Sequence, residues 1–457
     1  MVKSYTHLFN TAVYVGSVTV KTGLFINGRW VNPIEGEYID VVDPASEDVI
    51  TTVGCGGAED VNIAVEASRK AFRTSWGLKV PGSERGRILS KLADLIEERS
   101  EELAALEALD VGKPFLSSKH FELKSVVQAV RYYAGWADKA HGKTIEMMAV
   151  LKIAPALATG NTVILKPSEV APLSVLFLAD LLNDAGIPPG VVNIVNGYGH
   201  TVGSAIASHP KIDKITFTGS SLTGCKILKA SAASNLKAVT LELGGKSPTI
   251  IFNDATLEQA VQWAALGVFS NMGQICSAGS RIYALQAEWV SLLKLQPAMA
   301  PQVSKTQFER IMSYISSGKS EGAKIHFGGE RFGEQGYFIR PTIFVDVKPS
   351  MKIMREEIFG PVCCVVKFRT EEEVLGWAND TTYGLAANVL TENAARAIRM
   401  AHALEAGVIY VNHTIAGDIN VPFGGYKQSG LGREMGEEAL ATYTQVKAVH
   451  LNIGQVL

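Results

Sequence analysis

Cysteine is scarce in this sequence, and its spacing argues against two kinds of site. The five cysteines among 457 residues stand at positions 55, 225, 276, 363 and 364. Their number is odd and no Cys-x-x-Cys pair occurs, which speaks against a disulfide framework and against a zinc site. The sequence therefore predicts no metal centre, and a reducing, intracellular setting is its simplest interpretation.

A strong charge imbalance and a long uninterrupted apolar run are absent as well. The formal net charge is −2, so nothing favours nucleic acid or an anionic membrane as a partner. The most apolar stretch, MMAVLKIAPALATGNTVIL, is interrupted by Lys152, Pro155, Gly160 and Asn161 and does not fit a membrane span. No targeting segment is evident, and we predict a cytoplasmic protein.

The composition is that of a globular protein, 47% apolar and long enough for two or three domains. LFINGRW and IDVVDPASEDVI alternate apolar and polar residues, which predicts a hairpin or a pair of strands. Apolar residues at helical spacing predict helices over 58–76, 83–109 and about 118–140. We expect Ser83 to cap the second of these helices and Gly112 to end it.

Residues 161–242 alternate short strands and helices three times. This alternation is typical of right-handed βαβ units in a parallel, doubly wound sheet. A second α/β region over 244–425 has predicted strands at PTIIF, PVCCVVKF and GVIYVN. The C-terminal QVKAVHLNI predicts one more strand, which could extend a sheet edge in a second subunit.

Gly219 and Ser220, in KITFTGSSLTG, lie where a predicted strand gives way to a helix. Backbone N–H groups and the positive end of a helix at this turn could hold a pyrophosphate. An ordinary turn with a Ser cap explains the same residues. The glycine spacing is not Gly-x-Gly-x-x-Gly, so the motif alone does not decide.

Glu242, in LELGGKSP, lies 23 residues after Gly219 at the end of the next predicted strand. In an ordinary dinucleotide-binding unit an acidic residue at about this distance binds the ribose hydroxyls. A carboxylate at a strand end beside two glycines is equally available as a general base. The spacing does not choose between these roles.

Two further stretches carry charged or aromatic residues at predicted strand ends or turns. Lys166 and Glu169, in ILKPSE, could hold a phosphate or the ribose hydroxyls at the carboxyl end of a strand. A solvated loop is the alternative. Glu357 and Phe359, in REEIFGPV, precede a Gly-Pro turn and would fit an exposed turn equally well.

Cys276, in NMGQICSAGSR, is either a nucleophile or a small buried residue, and a lone cysteine is more often the second. A thiolate adds to a carbonyl without help from a metal. Small neighbours at 277–279 leave room for a substrate, and a helix start nearby could lower the pKa of the thiol.

Together these stretches resemble the aldehyde dehydrogenase superfamily, in particular its non-acylating, NAD(P)-dependent members. The matching segments run in family order between about residues 24 and 449. They are FINGRW, PALATGNTVILKPSE, FTGS, LELGGKSP, GQICSAGSR, EEIFGPV, NDTTYGLAA and VPFGGYKQSGLGREMG. The distance of 34 residues from Glu242 to Cys276 also matches the family pattern.

The resemblance implies an α/β, aldehyde dehydrogenase-like fold in three segments. Residues 1–243 would hold the N-terminal helices and a Rossmann-type dinucleotide-binding domain, and 244–425 a second α/β domain for catalysis. Residues 426–457 would return to the cofactor domain and end in a small oligomerisation strand. A homo-oligomer, dimer or tetramer, is the implied assembly.

The resemblance also implies site residues. Cys276 matches the nucleophile, and Glu242 matches the general base for deacylation, which decides against the ribose role. The implied cofactor is NAD, with NADP as the alternative; the negative charge of Glu169 would repel a 2′-phosphate and so favours NAD. The implied cofactor contacts are Lys166, Ser168, Glu169, Gly199, Gly203, Gly219, Ser220, Leu243, Gln307, Glu357 and Phe359.

Two places depart from the family pattern. After HGKTIE (141–146) the chain passes directly into MMAVLKIAPALATGN, without the longer segment and the Pro-Trp-Asn turn of family members. The Asn of that turn is the side-chain donor of the family's oxyanion hole, and loss of one such donor typically lowers kcat by about 10²–10³. After SRIYA, the stretch LQAEWVSLLKLQPAMAPQVS replaces a longer helix and loop.

The leading hypothesis is therefore oxidation of a small-molecule aldehyde to a carboxylic acid with NAD(P)+, through a cysteine thiohemiacetal and thioester. Two alternatives stay open. One is a catalytically impaired nucleotide-binding or structural member of the fold that lacks the oxyanion Asn. The other is a thiol-dependent esterase that uses Cys276 and Glu242 without a nucleotide.

Overall fold

Five sheets organise the residues that the computed structural model of the chain describes, which are 2–137, 148–285, 300–414 and 421–453. The strands are β1 Ser4–Asn10, β2 Val15–Lys21, β3 Leu24–Ile26, β4 Arg29–Val31, β5 Glu37–Val42, β6 Val49–Cys55, β7 Val163–Leu165, β8 Val192–Ile194, β9 Lys214–Thr218, β10 Ala238–Glu242, β11 Pro248–Ile251, β12 Arg281–Ala284, β13 Lys324–Phe327, β14 Thr342–Val345, β15 Val362–Lys367, β16 Ala386–Leu390, β17 Val408–Val411 and β18 Gly430–Leu431.

Helices cover these sheets and connect their strands. The α-helices are α1 Ala58–Thr74, α2 Gly82–Glu98, α3 Ser100–Val111, α4 Phe115–Ser117, α5 Leu123–Trp136, α6 Met148–Ala158, α7 Leu173–Ala185, α8 Ser204–Ser208, α9 Ser221–Ser234, α10 Leu257–Phe269, α11 Lys305–Ser320, α12 Lys352–Arg355, α13 Glu371–Asn379, α14 Ala394–Ala403 and α15 Gly436–Ala441. Short 3-10 turns occur at Gly77–Lys79, Ser270–Gly273 and Lys427–Ser429, and π-helical turns at Ser118–Glu122 and Gly199–Gly203.

The N-terminal strands form antiparallel pairs. The strands predicted in LFINGRW and IDVVDPASEDVI are confirmed as the pairs β3–β4 and β5–β6. A further hairpin, β1–β2, precedes them and was not predicted. These pairs pack beside the helical layer whose buried apolar side chains form the largest core cluster.

The helical layer corrects two predictions. The helix expected over 83–109 is two helices, α2 and α3, because Arg99 leaves the helical conformation with φ −97° and ψ 19°. Ser83 is not the cap, since α2 already begins at Gly82 after Pro81. Gly112 does end α3, as predicted, with a left-handed φ of 77° that glycine adopts without steric cost.

The predicted alternation of strands and helices over 161–242 is confirmed as two parallel pairs, β7–β8 and β9–β10. The two pairs belong to separate sheets, with the strand orders β4-β3-β8-β7 and β18-β10-β9. Strand β3 adds antiparallel to β8, and β18 adds antiparallel to β10. Strand β18 belongs to the predicted third segment (426–457), and it pairs with β10 of the predicted first segment (1–243). The division into three segments stays a prediction.

The second α/β region is a seven-stranded sheet with the order β13-β14-β15-β12-β11-β16-β17. Its pairs are parallel except β13–β14. This confirms the strands predicted in PTIIF, PVCCVVKF and GVIYVN. Since β11 and β12 are parallel neighbours, the loops that enter them meet at one edge of the sheet. Those loops carry the LELGG and CSAGS motifs.

The strand predicted in QVKAVHLNI does not form within the described residues of the single chain. Residues 444–453 make no strand pairing, and Val446, Val449, Leu451 and Ile453 are exposed by 78–103%. A strand needs a neighbour for its backbone hydrogen bonds, and none of the strands in the described part of the chain pairs with the segment. Among the described helices none combines the length and the apolarity that a membrane crossing requires.

Candidate active site

Cys276 follows an unusual turn at the end of α10. Residues 271–273 have consecutive positive φ angles of 47°, 54° and 72°. A side chain at Gly273 would place its Cβ 2.1 Å from the Gly360 carbonyl oxygen. Glycine is therefore required there, and the turn fixes the start of the cysteine loop against the Gly360 turn.

The loop that enters β11 packs directly on Cys276. A Cβ on Gly245 would lie 2.5 Å from the Cys276 carbonyl oxygen, so only glycine allows this approach. Burial of the sulfur, together with the negative charges of Glu357 and Glu242, raises the pKa of Cys276 to about 12. The Ser277 backbone N–H partly opposes this shift. The thiol is consequently protonated at neutral pH in the free chain.

Glu242, at the end of β10, is 4% exposed, and neither of its carboxyl oxygens has a hydrogen-bond partner among the residues that the structure describes. Burial, followed by the nearby charge of Glu434, raises the pKa of Glu242 to about 9, while Lys152 and Arg433 oppose the shift. A carboxyl group in this state is neutral at pH 7. Once it ionises, its carboxylate is a stronger base than an ordinary carboxylate and accepts a proton from water more readily.

A buried ion pair that the sequence did not reveal lies behind Glu242. The Lys152 ammonium donates to the Glu434 carboxylate, and their side chains are only 12% and 8% exposed. Burial also lowers the pKa of the neighbouring Lys214 to about 8. The available signal was a charged residue inside an otherwise apolar or glycine-rich motif. Lys152 interrupts MMAVLKIAPALA, and Glu434 lies in GLGREMG.

Glu357 lies on the other side of the same glycines. Its Oε1 accepts from the Gly245 backbone N–H at 3.2 Å, and a Cβ on Gly244 would be 2.1 Å from Oε2. Burial raises the pKa of Glu357, and the Gly245 N–H opposes the shift. The predicted residues Cys276, Glu242 and Glu357 are thus gathered around Gly244 and Gly245.

Gln307 and Phe359 form the outer part of this group. Phe359 has a left-handed φ of 57°. The Gln307 side-chain amide donates to the carbonyl oxygens of Ile358 at 3.2 Å and Phe359 at 2.7 Å. In this structure Gln307 therefore holds the turn that presents Phe359.

Five of the predicted cofactor residues form a second group. The Lys166 ammonium contacts Glu169 Oε2 at 2.9 Å. Burial raises the pKa of Glu169, but the hydrogen bonds from Lys166 and from backbone N–H groups, including that of Gly199, bring it below its ordinary value. A Cβ on Gly203 would come within 3.8 Å of the Lys166 side chain. Ser168 caps the same loop, its hydroxyl accepting from the Val170 N–H at 3.4 Å.

The turn at Gly219 connects to Glu242 through the backbone. The Gly219 N–H donates to the Glu242 carbonyl oxygen at 3.1 Å. Ser220 caps α9, as the ordinary-turn alternative expected, its hydroxyl accepting from the Thr223 N–H at 3.3 Å; its cofactor role stays a prediction. Leu243 is buried, and a Cβ on Gly224 would be 3.0 Å from its side chain.

Several expectations lie outside the described residues. The junction after HGKTIE, where the Pro-Trp-Asn turn is missing, falls at 138–147, and most of the second atypical stretch falls at 286–299. Within the described ranges, no cluster of three or more His, Cys, Asp or Glu side chains is arranged to hold a metal ion.

Comparison with known proteins identifies the class to which this fold and site belong. The sequence profile of the Aldehyde dehydrogenase family matches residues 30–149 and 146–449, so the chain belongs to that family. An aldehyde dehydrogenase of Agaricus bisporus is 50% identical, with 98% of each chain covered. One from Alternaria alternata is 45% identical, with 97% of each chain covered.

Solved structures that are similar to this chain are also aldehyde dehydrogenases. An aldehyde dehydrogenase from Bacillus cereus, determined as its NAD+ complex, is 43% identical with a TM-score of 0.91, covering 95% of this chain and 97% of that one. An indole-3-acetaldehyde dehydrogenase from P. syringae, in complex with NAD+ and IAA, is 36% identical with a TM-score of 0.90, covering 94% and 96%. The fold class expected from the resemblance is therefore confirmed.

The same comparisons bear on the missing segment. The family profile matches in two pieces that meet at 146–149, where HGKTIE runs into MMAVLK. The alignment with the Agaricus bisporus protein spans 492 residues, more than the 457 of this chain. The relative therefore carries residues that have no counterpart here.

Replacing Glu242 by Gln should stabilise the fold increasingly as the pH rises. The pKa of Glu242 is about 9 in the folded chain against an ordinary 4.5, so the folded state keeps a proton that the unfolded state releases. The stability that this proton contributes is fully present below about pH 4.5 and is lost as the pH rises towards 9. Gln has no such proton to lose, so the variant's advantage should grow across this window.

Urea unfolding at pH 5, 7 and 9 measures this difference. Glu309→Gln, at an exposed position, serves as the matched control and should show no growing advantage. An advantage of Glu242→Gln that stays constant between pH 5 and 9 would contradict the expected ionisation.

Proposed function

We propose that the chain oxidises an aldehyde to a carboxylic acid with NAD, through a thiohemiacetal and then a thioester on Cys276. One observation carries the proposal. The pair Gly244–Gly245 follows Glu242, touches the backbone of Cys276 and binds the carboxylate of Glu357, so three acidic or nucleophilic groups share one enclosure. Family membership supplies the reaction class.

The residues around the second group fit a dinucleotide. Lys166 and Glu169 offer a cation and a carboxylate for ribose hydroxyls, and Gly199 and Gly203 leave space beside them. The Ser-capped start of α9 offers backbone N–H groups to a pyrophosphate. The solved Bacillus cereus relative holds NAD+. Bound NAD would accept the hydride; the residues of this chain would place it and move the protons.

Proton transfer follows from the charges in the enclosure. Cys276 and Glu242 are both protonated at neutral pH; the charges of Glu357 and Glu242 raise the pKa of Cys276, and the charge of Glu434 raises the pKa of Glu242. The enclosure therefore favours one negative charge at a time, and the groups titrate as a coupled set. Glu242 first releases its own proton to solvent, and its carboxylate accepts the Cys276 proton as the sulfur attacks the carbonyl carbon. Glu242 then returns that proton to solvent. Its carboxylate next accepts a proton from the water that cleaves the thioester, and the departing Cys276 sulfur takes up a proton again.

A second candidate rests on a specific feature of the sequence. The Asn of the family's Pro-Trp-Asn turn has no counterpart, and it is the side-chain donor of the oxyanion hole in the resemblance described above. A catalytically impaired, nucleotide-binding member of the family would have this sequence. A thiol-dependent esterase, using Cys276 and Glu242 without nucleotide, is the third candidate.

A reducing, cytoplasmic location is part of the proposal. All five cysteines are free, including the exposed Cys225, which a reducing compartment would keep as a thiol.

Replacing Cys276 by Ser should abolish NADH formation. The native chain, mixed with NAD and a short aliphatic aldehyde, should produce NADH measurable by absorbance, and Cys276→Ser should lower the rate by about 10³ or more because the hydroxyl is a weak nucleophile at its ordinary pKa. Cys225→Ser, at the exposed cysteine of α9, should keep the native rate.

The other candidates give different results. A folded native chain that binds NAD without turnover supports the impaired member of the family. Cys276-dependent hydrolysis of an activated ester, with no NADH formed from any aldehyde, supports the esterase. Equal NADH formation by Cys276→Ser and the native chain would remove Cys276 from the mechanism.

Replacing Glu169 by Gln should weaken the preference for NAD over NADP. The Glu169 carboxylate, ionised and paired with Lys166, would repel a 2′-phosphate in the ribose position. The ratio of kcat/KM for NAD to that for NADP should fall about tenfold, the effect of removing roughly 1.4 kcal/mol of repulsion. Glu437→Gln, at an exposed site on α15, should leave the ratio unchanged. A native preference for NADP would refute this assignment.

We further propose a homo-oligomer, dimer or tetramer, on the strength of two exposed apolar surfaces. On α9 the side chains of Leu222 and Leu228 are exposed, and only Gly224 and Ser231 of that helix are buried. The C-terminal segment exposes the four apolar side chains described above. Apolar surfaces of this kind are typical of interfaces.

The molar mass in solution tests the assembly. Light scattering should give a multiple of 49.0 kDa, and the double substitution Leu451→Asp with Ile453→Asp should shift it towards the monomer. Leu8→Asp, exposed on the N-terminal hairpin, is the matched control and should leave the mass unchanged. A monomeric native chain would refute the proposal.

A further inference from the structure

Two buried polar side chains on the seven-stranded sheet lie directly beneath the cysteine loop. Thr249 is the second residue of β11, and Asn388 is its partner on the neighbouring strand β16. They are 0% and 1% exposed. Both belong to strands whose residues are all buried, where an apolar side chain would be the ordinary choice.

These side chains form a directed chain of hydrogen bonds that ends on the cysteine loop. The Asn388 amide donates to the Pro248 carbonyl oxygen at 3.3 Å and to the Thr249 hydroxyl oxygen at 3.1 Å. The Thr249 hydroxyl in turn donates to the Gly279 carbonyl oxygen at 3.2 Å. Because Asn388 occupies a lone pair of the hydroxyl, the hydroxyl proton is directed at Gly279.

The two polar side chains leave no room for a side chain at position 279. A Cβ at Gly279 would lie 2.1 Å from the Thr249 hydroxyl oxygen and 2.7 Å from the Asn388 amide nitrogen. On the other side, the Gly279 N–H donates to the Gly267 carbonyl oxygen at 3.1 Å, near the end of α10. The peptide groups around Gly279 are thus held from both sides, three residues after Cys276.

We propose that Thr249 and Asn388 are positioning residues for Cys276. They fix the Gly279 carbonyl from the sheet side and, through the short loop, hold the sulfur in its place beside Glu242 and Glu357. This inference rests on the proposed role of Cys276 as nucleophile. The proposed role of Thr249 and Asn388 is to orient the Cys276 sulfur, and neither residue is proposed to contact the substrate.

Three substitutions test the proposal through kcat and the KM for NAD. Thr249→Val keeps the shape but removes the hydroxyl, and Asn388→Ala removes the group that directs it. Each should lower kcat by about 10–100-fold, since a displacement of about 1 Å at a reacting centre costs up to about 10²-fold. The KM for NAD should stay within about twofold, because cofactor contacts are untouched. Thr249→Ser keeps the hydroxyl and should restore most of kcat.

Thr391→Val is the matched control. Thr391 is also buried, directly follows β16 at the opposite edge of the same sheet, and donates to Asp254. Its loss should lower the unfolding temperature without changing kcat. Equal kcat in Thr249→Val and Thr391→Val, or a Thr249→Ser variant as slow as Thr249→Val, would overturn the proposal.

A second readout separates this proposal from the proposed function. The rate at which iodoacetamide alkylates Cys276, followed by peptide mapping without NAD, reports the environment of the sulfur whether or not the chain oxidises aldehydes. Thr249→Val and Asn388→Ala should change that rate at least about fivefold, while Thr391→Val should not. Unchanged alkylation in both variants overturns the positioning role. If Thr249→Val does not fold, Asn388→Ala against Thr391→Val decides in the same way.

Discussion

The site depends on close contact between backbone segments that leave no room for a side chain. Gly244 and Gly245 lie between Glu357 and the backbone of Cys276. A Cβ on Gly244 would be 2.1 Å from Glu357 Oε2, and a Cβ on Gly245 would be 2.5 Å from the Cys276 carbonyl oxygen. That contact brings Glu357 and the backbone of Cys276 to the two glycines that follow Glu242 and Leu243 in the chain. The sheet supplies the frame, because the loops entering the parallel neighbours β11 and β12 meet at one edge.

The second governing constraint is electrostatic. Glu242, Glu357 and Glu434 concentrate carboxyl groups in a space with little water, and Lys152 pairs with only one of them. Burying an unpaired charge is costly, so protons stay on Glu242 and Cys276 in the free chain. Because these groups are close together and buried, a charge that enters or leaves the enclosure changes the pKa of each of them.

Local patterns in the sequence were sufficient for much of the fold. Strands such as β7 and β11, and helices such as α1 and α7, follow from apolar periodicity and from Gly and Pro at their ends. The break at Arg99 was missed because the apolar spacing continues through it. The C-terminal strand was predicted from a pattern that needs a partner strand to become structure.

In the candidate site, too, residues in local motifs could be predicted and residues that depend on distant contacts could not. Cys276, Glu242 and the ribose pair at Lys166 could be named because each lies in a recognisable motif, and their roles stay predictions. Lys152, Thr249 and Asn388 could not be named, since Lys152 pairs with Glu434, and Thr249 with Asn388, across more than a hundred positions of the chain. Pairings of this kind are set by tertiary packing, which periodicity does not encode.

The turn at 271–273 has one consequence for how the molecule reaches its native state. Its left-handed residues are held by contact with the Gly360 turn, where Phe359 is also left-handed, and the two segments are far apart in the chain. Neither conformation is favourable alone, so both become stable only when they meet. The loop that carries Cys276 therefore acquires its shape only when these two segments pack against each other, so a change at the Gly360 turn reaches the cysteine loop without touching it.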